Sequence, residues 1–118
     1  MIEFFKNELN CSNVPKQVID FYNKYDGKRL TINEIFSKEE IKQEINGYFK
    51  EFLNSGIKHN ENDMLIPIAD DGMGGYYAFI GNKQDENIYY FDHEFPLDDP
   101  EIYTIEDILN MDKELNKN

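Results

Sequence analysis

Apolar positions in this chain follow helical spacing at first, switch to strand-like runs in the middle and return to helical spacing near the end. Ile2, Phe5 and Leu9 fall on one face of a short helix, which residues 10–13 break. Pro15 suits the first turn of a second helix, where its missing N–H is no loss. Val18, Phe21, Tyr22 and Tyr25 form that helix's buried stripe and Gly27 stops it. Residues 28–32 read as a short strand. Ser37 with Glu40 three residues on is a capping-box pattern. It opens a predicted long helix over about residues 38–53, with Ile41, Ile45, Tyr48, Phe49, Phe52 and Leu53 on one broad apolar face and an end near Ser55-Gly56. A polar connector over residues 57–63 follows.

From about residue 64 to 92 the period changes. Leu65-Ile66-Pro67-Ile68-Ala69, Tyr76-Tyr77-Ala78-Phe79-Ile80 and Ile88-Tyr89-Tyr90-Phe91 are rich in aromatic and β-branched residues, and clusters of Asp, Gly and Asn separate them. The pattern predicts a meander of three antiparallel strands. Alternation sends Tyr76, Ala78 and Ile80 to one face and Tyr77 and Phe79 to the other. Gly72, Gly74 and Gly75 suit a tight reversal, because glycine reaches positive φ without steric penalty. Residues 93–102, with Pro96, Pro100 and four carboxylates, read as an exposed irregular loop. Thr104 with Asp107 caps a last helix whose face is Ile105, Ile108, Leu109 and Leu115.

The strand and turn residues also carry a family resemblance. The Ile-Pro-Ile-Ala strand, the Asp-Asp-Gly-x-Gly-Gly turn, the Tyr-x-Phe strand and the Tyr-Tyr-x-Asp-His-Glu end resemble the SUKH superfamily. Val14-Pro15, Phe21-Tyr22 and Asp26-Gly27 are similar to that family's proline-started helix and its closing turn, and residues 103–109 to its C-terminal helix. The motifs are short, so their order carries the likeness, and the lack of Trp leaves the subfamily open. The resemblance implies a single α+β domain. It also implies a role like that of the family's fungal cell-wall-assembly regulators or its bacterial immunity proteins, which neutralise secreted toxins.

Composition agrees with one domain over residues 1–118. Nine Phe and eight Tyr suffice for an aromatic core. A single cysteine, Cys11, rules out an internal disulfide, and no apolar run is long enough to span a membrane. The N-terminus lacks the basic segment and long apolar run of a signal peptide, so a cytoplasmic location is expected.

Charge changes the picture most. Residues 1–60 carry nine acidic and nine basic side chains, whereas residues 61–118 carry fifteen acidic and three basic, so the second half holds the entire net charge of −12. Between Asp85 and Glu101 there are seven carboxylates and no Lys or Arg. Such a surface repels phosphate backbones and argues against nucleic-acid binding. It attracts basic protein partners and speeds their encounter. The plainer explanation, excess charge serving solubility, covers many acidic proteins but not the one-sided distribution.

Enzyme readings find little support. The glycine turn leads into a strand and so lacks the helix N-terminus that holds a phosphate. Asp92-His93-Glu94 with Asp70 and Asp71 offers oxygen and imidazole donors for a metal-dependent hydrolase, but without a recognised partner motif, and an exposed or satisfied His93 is the simpler reading. His59 reads as solvated and Cys11 as a buried thiol without a nucleophile's surroundings.

The expectation is therefore an α+β domain, an antiparallel sheet packed on one side by helices, that binds a protein without catalysis, cofactor or metal. The best-fitting role is an immunity protein, monomeric when free, that occludes a basic toxin domain, possible nucleases included. A regulatory scaffold is the alternative, and a metal-dependent hydrolase the remaining one. Charge clustering and loop position select Asp70, Asp71, Asp92, Glu94, Asp98 and Asp99 as partner-binding charges, and Tyr76 and Tyr103 as exposed anchors.

Overall fold

The computed structural model describes residues 2–25 and 35–115, with side chains described as far as Met111. The predicted strand over 28–32, the Asp26-Gly27 turn and the Leu115 side chain lie outside the described residues. Among the described residues, five helices and four strands follow in the order α1 (Ile2–Glu8), α2 (Lys16–Lys24), α3 (Lys38–Asn46), α4 (Tyr48–Asn54), β1 (Met64–Asp70), β2 (Tyr76–Gly81), β3 (Ile88–Phe91), β4 (Glu101–Tyr103) and α5 (Ile105–Leu115). The strands form one antiparallel sheet in the order β1-β2-β3-β4. This is an α+β fold, as the switch in hydrophobic period predicts.

Both capping patterns form. The Ser37 hydroxyl accepts from Glu40 N at 3.2 Å while the Glu40 carboxylate accepts from Ser37 N at 3.1 Å. Thr104 and Asp107 exchange the same pair of bonds at 3.0 and 2.9 Å. Each satisfies two N–H groups that a helix start otherwise leaves open. Gln17 of α2 adds a third bond at the start of α5, accepting from Ile105 N at 2.8 Å.

Three expectations are corrected. The single helix over 38–53 is two, because Gly47 takes a φ of −134° and ψ of −111° that no helix uses. The turn it makes is tight: a Cβ at this position would lie 2.9 Å from the Gln43 carbonyl oxygen. The break re-aims the second segment, so that Phe49 and Phe52 reach Tyr76 at 5.0 and 4.9 Å between ring centroids, whereas Tyr48 is 75% exposed.

Helices also cover both faces of the sheet. Tyr76 meets α4, while Phe79 packs edge-on against Phe5 of α1 at 5.6 Å and the Tyr77 hydroxyl reaches Met111 Sδ of α5 at 3.7 Å. Alternation along β2 predicts this outcome, since both of its faces are apolar and each needs a cover.

Finally, the acidic loop does not stay irregular to residue 102. Glu101 to Tyr103 pair with Tyr90 to Ile88 as a fourth strand. Three residues are too few to show a period in sequence, and the pairing supplies partners for the outer edge of β3.

Pro67 occupies β1 beside a register shift between Pro67 and Ala69, where a residue lacking an N–H is tolerated. The outer edge of β1 is partly covered by the preceding segment: Phe36 N donates to Ile68 O at 2.8 Å and Ile35 bridges to Ala69. Cys11 is fully buried, its thiol donates to Asn13 O at 3.3 Å, and burial pushes its pKa up. It lies against Gly81, where an added Cβ would sit 2.7 Å from Sγ. Gly81→Ala should therefore destabilise the domain by about 1–3 kcal/mol through overpacking. Urea denaturation should find part of that loss recovered in Gly81→Ala/Cys11→Ala, which removes the obstructing sulfur.

Candidate functional site

β1 and β3 run in the same direction, so the turn after β1 and the loop after β3 emerge at one end of the sheet. The two segments adjoin there, a Cβ at Gly74 being placed 3.1 Å from His93 Nδ1. Tertiary structure thus brings Asp70 and Asp71 near Asp92, but it gives the candidate residues different tasks.

Asp71 holds the turn together. Its Oδ1 accepts from Met73 N at 2.7 Å and Gly75 N at 2.8 Å, and its Oδ2 accepts from the Tyr90 hydroxyl at 2.5 Å. Gly72 and Gly74 take φ values of 74° and 98°, as the tight reversal requires. Gly75 serves differently: an added Cβ would lie 2.6 Å from Asp71 Oδ2 and 2.8 Å from the Tyr90 hydroxyl oxygen. Burial pushes the Asp71 carboxyl up, but the bonds from Tyr90, Met73 and Gly75, together with nearby His93, outweigh it and leave its pKa below the ordinary value. The same Tyr90 hydroxyl is driven well above its ordinary range by burial and by its bond to Asp71.

Asp70 is shifted the opposite way. Its Oδ1 accepts from Gly72 N at 3.0 Å, but burial first, and repulsion from Glu44, Asp71 and Glu40, raise its pKa. A raised carboxyl pKa is a cost to folding that is fully present above the folded value and vanishes as pH falls below the unfolded one. Asp70→Asn keeps the turn acceptor and removes the repulsion. Thermal melts should show it more stable at pH 7 by about 0.5 kcal/mol, solvent screening at this partly exposed site keeping the gain small, with no gain left near pH 3.

Tyr76, expected to be an exposed anchor, is only 9% exposed. Its ring lies among Phe36, Phe49 and Phe52, and its hydroxyl donates to Glu44 Oε1 at 2.5 Å. The signal against exposure was its place at the start of a strand both of whose faces are apolar. Tyr103 lies in β4, half-buried, its ring edge-on to Tyr77 and Tyr90 at 5.5 and 5.9 Å. Its hydroxyl donates to Glu101 Oε2 at 2.7 Å; that bond first, then burial, pushes its pKa up to about 12.

The remaining candidates line the loop between β3 and β4. Asp92 accepts from Glu94 N at 2.8 Å, and its carboxylate stands 3.9 Å from His93 Nδ1. Glu94 and Asp98 are exposed. Asp99 pairs with Lys58 Nζ at 2.7 Å, and Lys58 N donates to Pro96 O at 2.6 Å, so the connector before β1 anchors this loop at two points.

Sequence reasoning overlooked the apolar residues of the same loop. Phe95 and Leu97 are 58% and 77% exposed, and Phe95, Pro100 and Tyr90 share a depression with the carboxylates of Asp92, Asp98, Asp99 and Glu101. The available signal was Phe95-Pro96-Leu97 itself, an apolar run inside an acidic, proline-containing segment.

Among the described residues, no three His, Cys, Asp or Glu side chains are grouped to hold a metal ion. His59 directs Nδ1 at the Ile57 carbonyl, 2.7 Å away. No helix among the described residues is long and apolar enough to cross a membrane.

Comparison with known proteins found no matching curated protein and no matching solved structure. A family model does match, over residues 1–112, and that span contains the whole sheet, its turn and the acidic loop. The chain belongs to the SMI1 / KNR4 family (SUKH-1), within the SUKH superfamily.

Proposed function

We propose that this domain is a cytoplasmic immunity protein, monomeric when free, that neutralises a basic toxin domain by covering it one to one, without catalysis or cofactor. Membership of the family supports a toxin-immunity or regulatory role in general. The observation that favours immunity is the gathering of Asp92, Glu94, Asp98 and Asp99, with no Lys or Arg among them in sequence, on the loop that projects between β3 and β4 at one end of the sheet. Toxins that act on nucleic acid need a cationic working surface to hold phosphates. An acidic loop competes for that surface by matching its charge. In this reading Asp92, Glu94, Asp98 and Asp99 steer and pair. Tyr103 contributes contact area at the edge of the sheet, while Asp71 and Tyr76 act by holding the end of the sheet in shape.

The test is calorimetric titration with the C-terminal domain of the protein encoded immediately upstream. One-to-one binding with loss of the toxin's activity is expected. No heat and full toxin activity in the presence of excess immunity protein would reject the reading. An upstream cell-wall gene whose product binds this domain would favour the regulatory scaffold instead.

A further inference from the structure

We propose that the depression at the start of β4 receives one arginine side chain of the protein partner, its guanidinium stacked on the Phe95 ring and paired with the surrounding carboxylates. The inference rests on the reading above only in taking the partner to be a basic protein. The depression measures about 70 Å³, enough for the head of one side chain and too little for a helix. Phe95 and Pro100 supply apolar surface, and Asp92, Asp98, Asp99 and Glu101 surround it with charge.

Three observations select a guanidinium. First, an exposed phenyl ring beside carboxylates suits a cation that is both planar and weakly hydrated; arginine stacks on such a ring better than the strongly hydrated lysine ammonium. Second, the carboxylates share the depression, yet among the described residues no three are grouped to bind a metal ion. A fork of five N–H donors can meet acceptors placed on different sides. Third, the loop already holds one cation on its rim, Lys58 on Asp99 at 2.7 Å. Capacity is left for another: Asp92 uses Oδ1 for Glu94 N and Glu101 uses Oε2 for Tyr103, while their other oxygens and the Asp98 carboxylate make no bond to the described residues.

The experiment is a titration of the isotope-labelled full chain with N-acetylarginine amide, and separately with N-acetyllysine amide, followed by backbone amide NMR shifts. Expected are saturable shifts confined to residues 90–101, with arginine bound more tightly than lysine. Phe95→Leu keeps apolar bulk without the ring and should weaken arginine binding roughly two- to fivefold, whereas Phe95→Trp should retain it. Because Phe95 is exposed, neither change disturbs the core.

Shifts spread equally over the acidic first turns of α3 and α5, an equal response to the two amides, or unchanged binding by Phe95→Leu would each overturn the site. A toxin complex whose affinity is indifferent to Phe95→Leu would likewise overturn it while sparing the immunity reading. Localised arginine binding by a domain that forms no toxin complex would uphold the site and reject that reading.

Discussion

Asp71→Ala is expected to lower the stability of the domain by about 2–4 kcal/mol, the loss of three hydrogen bonds to a charged acceptor with two donors left in partly buried surroundings. In urea denaturation the midpoint should fall with little change in slope. Tyr90→Phe, which removes one of the three bonds, should lose about 1–2 kcal/mol. Linkage supplies an independent check. The Asp71 pKa is lowered on folding, so its contribution is fully present above the ordinary carboxylate value and is lost as pH falls through the folded one. Wild type and Asp71→Asn should therefore differ at pH 7 and converge in strong acid. Equal midpoints for wild type, Asp71→Ala and Tyr90→Phe would show that the turn is held by its glycines alone.

Neutralising Asp92, Glu94, Asp98 and Asp99 together is expected to slow association with the proposed toxin partner at least about tenfold at low ionic strength, the lower end of what electrostatic steering contributes. Dissociation should change less, because rim charges act mainly on the encounter. Raising salt toward about 0.5 M should slow the wild type until it approaches the variant, as the Debye length contracts to a few ångströms. The control is an equal neutralisation at Glu3, Asp20, Glu39 and Glu51, all exposed on helices in the balanced half of the chain. Glu40 and Glu44 are unsuitable for it, since both act on Asp70 and Glu44 accepts the Tyr76 hydroxyl. Equal slowing by both quartets, measured by stopped flow, would show that net charge governs recognition and no particular loop does.

Charge accounting by sequence halves is thus accurate as arithmetic and incomplete as geography. Glu44 lies in the neutral half, yet α3 carries it to the end of the sheet where Asp70 and Tyr76 stand. A field depends on distances in space, and these follow from how α3 packs on β1.

The elements readable in the chain are those whose signals lie within a few residues of one another. Ser37 and Glu40, or Thr104 and Asp107, meet one turn apart, so spacing alone implies the bonds that start α3 and α5. Gly72 and Gly74 reach positive φ because a reversal between two apolar strands leaves them no other geometry. Period and turn chemistry likewise placed β1, β2 and β3. The rest needed partners distant in sequence. Gly47 ends one helix and begins another because the rings beyond it must reach Tyr76, and β4 forms because the edge of β3 offers hydrogen bonds that three residues can take. Asp70 and Asp71 look alike in sequence, but Tyr90, nineteen residues on, closes over one carboxylate while burial, with Glu44 beside it, works against the charge of the other, so that their pKa values move apart. Which carboxylate holds the turn and which is crowded by its neighbours was decided by packing across the sheet, because hydrogen bonding and repulsion act over a few ångströms in space however far apart the residues lie along the chain.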